Sequence, residues 1–101
     1  MKKKFIAIMK FLQAIDPKGS KPRQTSKDAK RKGFYVQNPT PFSLSELTAL
    51  VADWKPHLIV EHNPTPVQNK TSGKWYDPSV FIGQPFAEAT DDELYDYGED
   101  L

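Results

Sequence analysis

The tetrapeptide Asn-Pro-Thr-Pro occurs twice, at 38–41 and at 63–66, and it constrains the fold more than any other feature of the chain. Each copy follows a short apolar run, FYVQ in the first case and LIVEH in the second. Two proline rings remove two ladder donors and force extended backbone at the residue before each ring, so each copy ends a strand. If the two strands are parallel neighbours joined by a right-handed helical crossover, both turns lie at the same sheet edge. In open α/β sheets that carboxyl edge is where ligands bind.

The segment between the copies has the signals such a crossover needs. In PFSLSELTALVADWKP, Ser43 and Glu46 have capping-box spacing, and Phe42 and Leu47 stand where a hydrophobic staple forms. Leu44, Leu47, Leu50, Val51 and Trp54 make one apolar stripe at helical period, and Pro56 stops the helix near Trp54. The next strand, HLIVEHN, turns His57, Ile59 and Glu61 to one face and Leu58, Val60 and His62 to the other. Residues 67–86 read as turn, strand, turn, strand, with TSGK as a turn, WY and VFI as short strands, and DPS between them.

The first fifteen residues fit two periods. As a helix, Phe5, Ile8, Met9, Leu12 and Ile15 share a face; as a strand, Phe5, Ala7, Met9 and Phe11 share one and Ile6, Ile8 and Leu12 the other. The run is short and stops at Asp16-Pro17, which favours a strand over residues 5–14, with a basic amphipathic helix on a membrane surface as the alternative. Its basic start has the outline of a secretory signal, but Lys10 and Gln13 interrupt the apolar run and no small-x-small cleavage site follows. The run is about half the roughly 20 residues of a membrane span.

Charge is distributed unevenly. The net charge is +1, yet residues 1–33 carry eleven Lys/Arg against two Asp, whereas residues 87–101 carry seven acids and no base. Blocks of like charge stay solvated. We therefore expect a single compact domain over 1–86, including a mobile basic loop at 16–33 with nothing to bury, followed by an acidic tail at 87–101. The expected fold class is α+β: a small mixed sheet of about four short strands with one amphipathic helix on one face.

The basic loop supplies Lys18, Lys21, Arg23, Lys27, Lys30, Arg31 and Lys32, enough cations to neutralise several phosphates. Tyr35 follows the loop, and Lys74 precedes Trp75 and Tyr76, which interleaves cations with rings as single-strand binding by base stacking requires. These eleven residues are the expected nucleic-acid-binding set. In the tail, Asp91, Asp92 and Glu93 with Leu94, Tyr97 and Leu101 are the expected partner-binding set, on one or two helical turns opened by Thr90 and Glu93. The tail resembles in composition the acidic carboxyl-terminal tails of single-stranded DNA-binding proteins, which end in a hydrophobic residue; that resemblance implies recruitment of partner proteins.

No cysteine is present, which excludes disulfides, thiolate metal sites and a cysteine nucleophile and suits a reducing cytoplasm, of a cell or of a virus-infected host. His57, Glu61 and His62 alternate across a strand and do not converge on one ion, so neither a metal nor another cofactor is expected. Ser43 and Ser45 are explained by helix capping and Asp77 by the turn before Pro78, so an enzyme is not expected. Two functions fit: a non-specific accessory protein for single-stranded DNA or RNA whose tail screens the basic loop or recruits a partner, or a protein-interaction module such as a phage-type inhibitor or virion component. Self-association is compatible with either.

Overall fold

The computed structural model describes residues 2–26 and 31–86 together with Leu94 and Tyr97. Among the described residues the fold is α+β, with two helices on one face of a four-stranded sheet and a small two-stranded hairpin beside it.

The amino-terminal segment is a helix, α1 (Lys3–Ile15), and not the expected strand. Its buried residues are Phe5, Ile8, Met9, Leu12 and Ile15, at the three- and four-residue spacing of a helical stripe. That stripe lies in the core, where the Phe5 ring meets Phe34 and Trp54 with both centroids at 5.5 Å. The apolar face is therefore occupied by this chain and is not presented to a membrane. Among the described residues no helix is long and apolar enough to cross one. Asp16 ends α1 in extended conformation, as the residue before Pro17 must, and its carboxylate accepts from the Lys18 amide at 2.7 Å.

The basic segment has more order than an unstructured loop. Arg23–Gln24 forms β1, which pairs antiparallel with β2 (Gly33–Gln37). Thr25 closes the pair: its amide donates to Gly33 O at 3.0 Å, and its hydroxyl accepts from the Gly33 amide at 3.1 Å. Pro22 is buried, so the segment does contribute to the interior. Lys27 and Lys30 lie outside the described residues.

Helix α2 (Leu44–Trp54) has the bounds the sequence predicts. Ser43 caps it, its hydroxyl accepting from the Glu46 amide at 3.3 Å. Leu47 and Val51 are buried, and Leu50 and Trp54 pack at the margin of the core. Leu44 departs from the expected stripe and is 44% exposed in the first turn.

Strands β3 (Ile59–Asn63) and β6 (Ser79–Gly83) complete the sheet in the order β1-β2-β6-β3. Every pairing is antiparallel, so the sheet is not mixed. Strands β2 and β3 do run parallel, but β6 returns between them and separates the two. The expectation about the repeated turns nevertheless holds: Gln37 and Asn63 both pair with Ser79, which brings the two Asn-Pro-Thr-Pro turns to one end of the sheet on either side of Pro78. Asn38 opens the first turn with φ 51°, a left-handed conformation that asparagine tolerates, and its amide donates to Pro78 O at 2.6 Å.

Residues 67–76 form a hairpin of β4 (Val67–Gln68) and β5 (Trp75–Tyr76). Asn69 shapes its tip, with Oδ1 accepting from the Thr71 amide at 2.9 Å and the Ser72 amide at 3.3 Å, and Gly73 supplies the positive φ of 74°. The inner face of the large sheet presents Phe34, Val36, Val80 and Ile82 to the helices.

Leu94 and Tyr97 are also part of this interior. Leu94 is 1% exposed and its carbonyl accepts from Gln24 Nε2 at 3.3 Å. The Tyr97 ring lies 4.9 Å from that of Phe5 and 5.5 Å from that of Trp54. Both side chains, expected to face a partner, pack with the chain's own core, Leu94 buried within it and Tyr97 partly buried at its margin.

Candidate nucleic-acid interface

Both helices lie on one side of the four-stranded sheet, and among the described residues no helix covers the other face. Register and alternation set its side chains in three rows. The middle row crosses all four strands as Arg23, Tyr35, Phe81 and Glu61. The row towards the Asn-Pro-Thr-Pro end is polar, with Gln37, Ser79 and Asn63, and the row towards the other end holds Gly33, Gly83 and Ile59.

Phe81 lies down along this face, across the paired glycines. A β-carbon on Gly33 would stand 2.7 Å from Phe81 Cε2, and one on Gly83 would stand 2.6 Å from Phe81 Cζ. A β-carbon at either position would force the ring to move. Above the ring sits Arg31, its guanidinium carbon 4.8 Å from the centroid, and Arg31 Nη1 donates to Glu61 Oε2 at 3.0 Å. The Arg31 hydrogen bond holds the Glu61 carboxyl below its usual range, assisted by the arginine's charge and opposed by partial burial. Glycine backbone, phenyl ring, guanidinium and carboxylate thus form one ordered stack.

The β4–β5 hairpin walls this face into an open cleft of about 750 Å³. Trp75 and Tyr76 form the wall, 62% and 49% exposed, and Tyr35 forms part of the floor, half-buried. Lys74 Nζ lies 5.5 Å from the Tyr76 ring centroid, so this ring already carries a cation. Arg31 and Lys74 bring two positive charges to the cleft, and Glu61 and Asp77 bring two negative ones. Such a lining binds by ring faces and hydrogen-bonding groups more than by net charge.

Of the residues expected from sequence, Arg31, Tyr35, Lys74, Trp75 and Tyr76 line this one cleft. Lys18 and Arg23 line a small hollow of about 130 Å³ that shares Tyr35 and Gln37 with it, and Arg23 Nη1 donates to Gln37 Oε1 at 3.4 Å. Lys21 points elsewhere, into a groove beside α1. Lys32 is held through its backbone, its amide donating to Gln84 Oε1 at 2.7 Å. Lys27, Lys30, Asp91, Asp92, Glu93 and Leu101 lie outside the described residues. Sequence reasoning missed Phe81, Gln37 and Asn63; alternation within SVFIG, which sends Val80 and Ile82 inward, was the signal that turns Phe81 out. His62 packs its ring against Phe42 at 5.0 Å, while Glu61 faces the cleft, so these neighbours act on opposite sides of the sheet.

Comparison with protein-family models, curated proteins and solved structures finds no match for this chain.

Proposed function

We propose that the chain binds single-stranded nucleic acid on the open face of its sheet, with bases stacked on Trp75, Tyr76 and Tyr35. The observation that carries this reading is the convergence of three accessible rings and two cations, Arg31 and Lys74, on one cleft. A sheet platform with rings exposed on the face opposite its helices is a general solution for holding unpaired bases. The amide row of Gln37 and Asn63 supplies hydrogen-bonding groups beside the rings, and Lys18 and Arg23 extend the positive side of the platform past Tyr35.

In this reading the protein binds and does not catalyse, and the Arg31–Glu61 pair helps to hold the shape of the cleft. The acidic tail acts as a screen: tethered to the same chain as the basic segment, its acids compete with phosphate for it at high effective concentration. The test is fluorescence anisotropy of labelled single-stranded DNA and RNA with the full chain and with Trp75→Ala, at low and physiological salt. Binding by the full chain that weakens in the variant supports the proposal; no binding at low salt overturns it.

A further inference from the structure

The platform carries a carboxylate in its middle row, a group that adds nothing to phosphate binding and opposes it. Glu61 stands two strands from Tyr35, with Phe81 between them. Adjacent strands lie about 4.8 Å apart, so the Tyr35 and Glu61 positions are about 10 Å apart. Glu61 lines the same cleft as the rings of Tyr35, Trp75 and Tyr76. A carboxylate repels phosphate and only accepts hydrogen bonds, so the part of a bound strand that suits it is the donor edge of a base.

Glu61 is held in place as an acceptor. Arg31 Nη1 donates to its Oε2 at 3.0 Å, and the Asn63 side chain adds a further hydrogen bond. Arg31 is itself seated over the Phe81 ring, so the carboxylate is positioned through a packed neighbour. The same contacts keep its carboxyl below the usual range and therefore ionised at neutral pH. An ionised carboxylate has about four lone-pair sites. Arg31 and Asn63 use two of them, and with 39% of the side chain exposed the others are reachable from the cleft.

Unpaired bases are read on their Watson–Crick edges, and these differ in what they offer such a group. Guanine presents two adjacent donors, N1–H and the N2 amine. Cytosine and adenine present one amine beside a ring nitrogen that accepts, and thymine or uracil presents one N3–H between two carbonyl oxygens. In those cases an acceptor faces the carboxylate. Taking the single-strand reading above as the basis, we propose that Glu61 selects guanine at one position of the strand, its carboxylate accepting from N1–H and the N2 amine while a ring of the cleft holds the face of the base.

Fluorescence anisotropy of the full chain with short labelled oligothymidine and oligouridine tests this, with one central residue changed in turn to guanine, adenine, cytosine or hypoxanthine, which lacks the N2 amine. The expected result is tighter binding of the guanine strand, on the order of tenfold over each of the others. Glu61→Gln, with circular dichroism unchanged, is expected to reduce that ratio to about twofold or less, because a carboxamide offers one acceptor and one donor. Trp75→Ala is expected to weaken all strands and keep the ratio. Equal binding of all strands overturns guanine selection and leaves the single-strand reading standing, whereas no binding of any strand at low salt overturns both. Equal binding of the guanine and hypoxanthine strands, or a guanine preference that survives Glu61→Gln, also overturns the selection by Glu61, because the preference then comes from stacking.

Discussion

The ring of Phe81 lies so close along the backbone of Gly83 that a β-carbon on that glycine would stand 2.6 Å from Cζ and closer still to the carbonyl oxygen of Lys32. The ring can rotate away, but the Lys32 carbonyl is fixed because it accepts from the Gln84 amide at 2.9 Å. Gly83→Ala is therefore expected to destabilise the fold by about 1–3 kcal/mol, the range for overpacking a close-fitted site. In a chain of this size each kcal/mol lowers the melting temperature by about 4–8 °C. Thermal denaturation followed by circular dichroism measures the shift; an unchanged melting temperature means that the backbone around Lys32 and Gly83 yields to the added methyl group.

Arg31 and Glu61 make the stack pH-sensitive. The folded-state pKa of Glu61 is depressed by its arginine partner, so its contribution to stability is present above the unfolded value, about 4.3, and is lost as pH falls through the folded value. Both side chains are more than a third exposed, which limits the pair to about 0.2–1 kcal/mol. Glu61→Gln is expected to lower the melting temperature at pH 7 and to approach the parent as pH falls through the depressed folded value. A difference that persists at low pH assigns the effect to packing and not to charge.

The features legible in the sequence are those set by local chemistry. Ser43, Glu46 and Pro56 bracket α2 at its observed ends, and the proline-rich turns end β2 and β3 because proline acts on its nearest neighbours. Helix α1 was misread because Ile6, Ala7 and Phe11, which lie off the buried stripe, make the segment apolar all round and so mimic strand alternation. Only packing against Phe34 and Trp54 selects the helical stripe. The burial of Leu94, whose carbonyl is bonded by Gln24 70 positions earlier, leaves no local mark at all, and a run of acids around it points the other way. Within the cleft, rings beside cations were legible, whereas the glycine floor under Phe81 depends on β2–β6 register.

Leu94 belongs to the core, and its truncation should show that. Leu94→Ala is expected to cost about 2–5 kcal/mol, as for other buried leucines, although its neighbours in sequence are acidic. Urea denaturation monitored by Trp54 and Trp75 fluorescence measures the loss. A cost below 0.5 kcal/mol, within the ordinary surface range, removes Leu94 from the interior and returns it to the partner-facing role.

Trp75 tests the platform with little risk to the fold, because it is 62% exposed on a two-residue strand. Trp75→Ala is expected to weaken single-stranded binding by about 1–3 kcal/mol, roughly 5- to 150-fold, if one base stacks there. Lys74→Ala is expected to reduce the slope of log K against log salt by about 0.7, the contribution of one phosphate on a single strand. Equal loss of affinity in both variants with an unchanged slope assigns Lys74 to support of the Tyr76 ring and not to phosphate.

Screening by the tail requires a variant that leaves the core intact. Ending the chain at Phe86 removes Leu94 and Tyr97 from contact with Gln24, Phe5 and Trp54, so a change in binding after such a cut mixes lost charge with lost packing. Replacing Asp91, Asp92 and Glu93 with Asn, Asn and Gln removes the charge beside Leu94 and keeps its side chain. If these acids compete with phosphate at Arg23, the triple variant binds single strands more tightly, on the order of tenfold at low salt, and the gain fades as ionic strength rises and the Debye length falls to about 8 Å. If the variant and the parent bind equally at every salt concentration, the tail does not act on the platform.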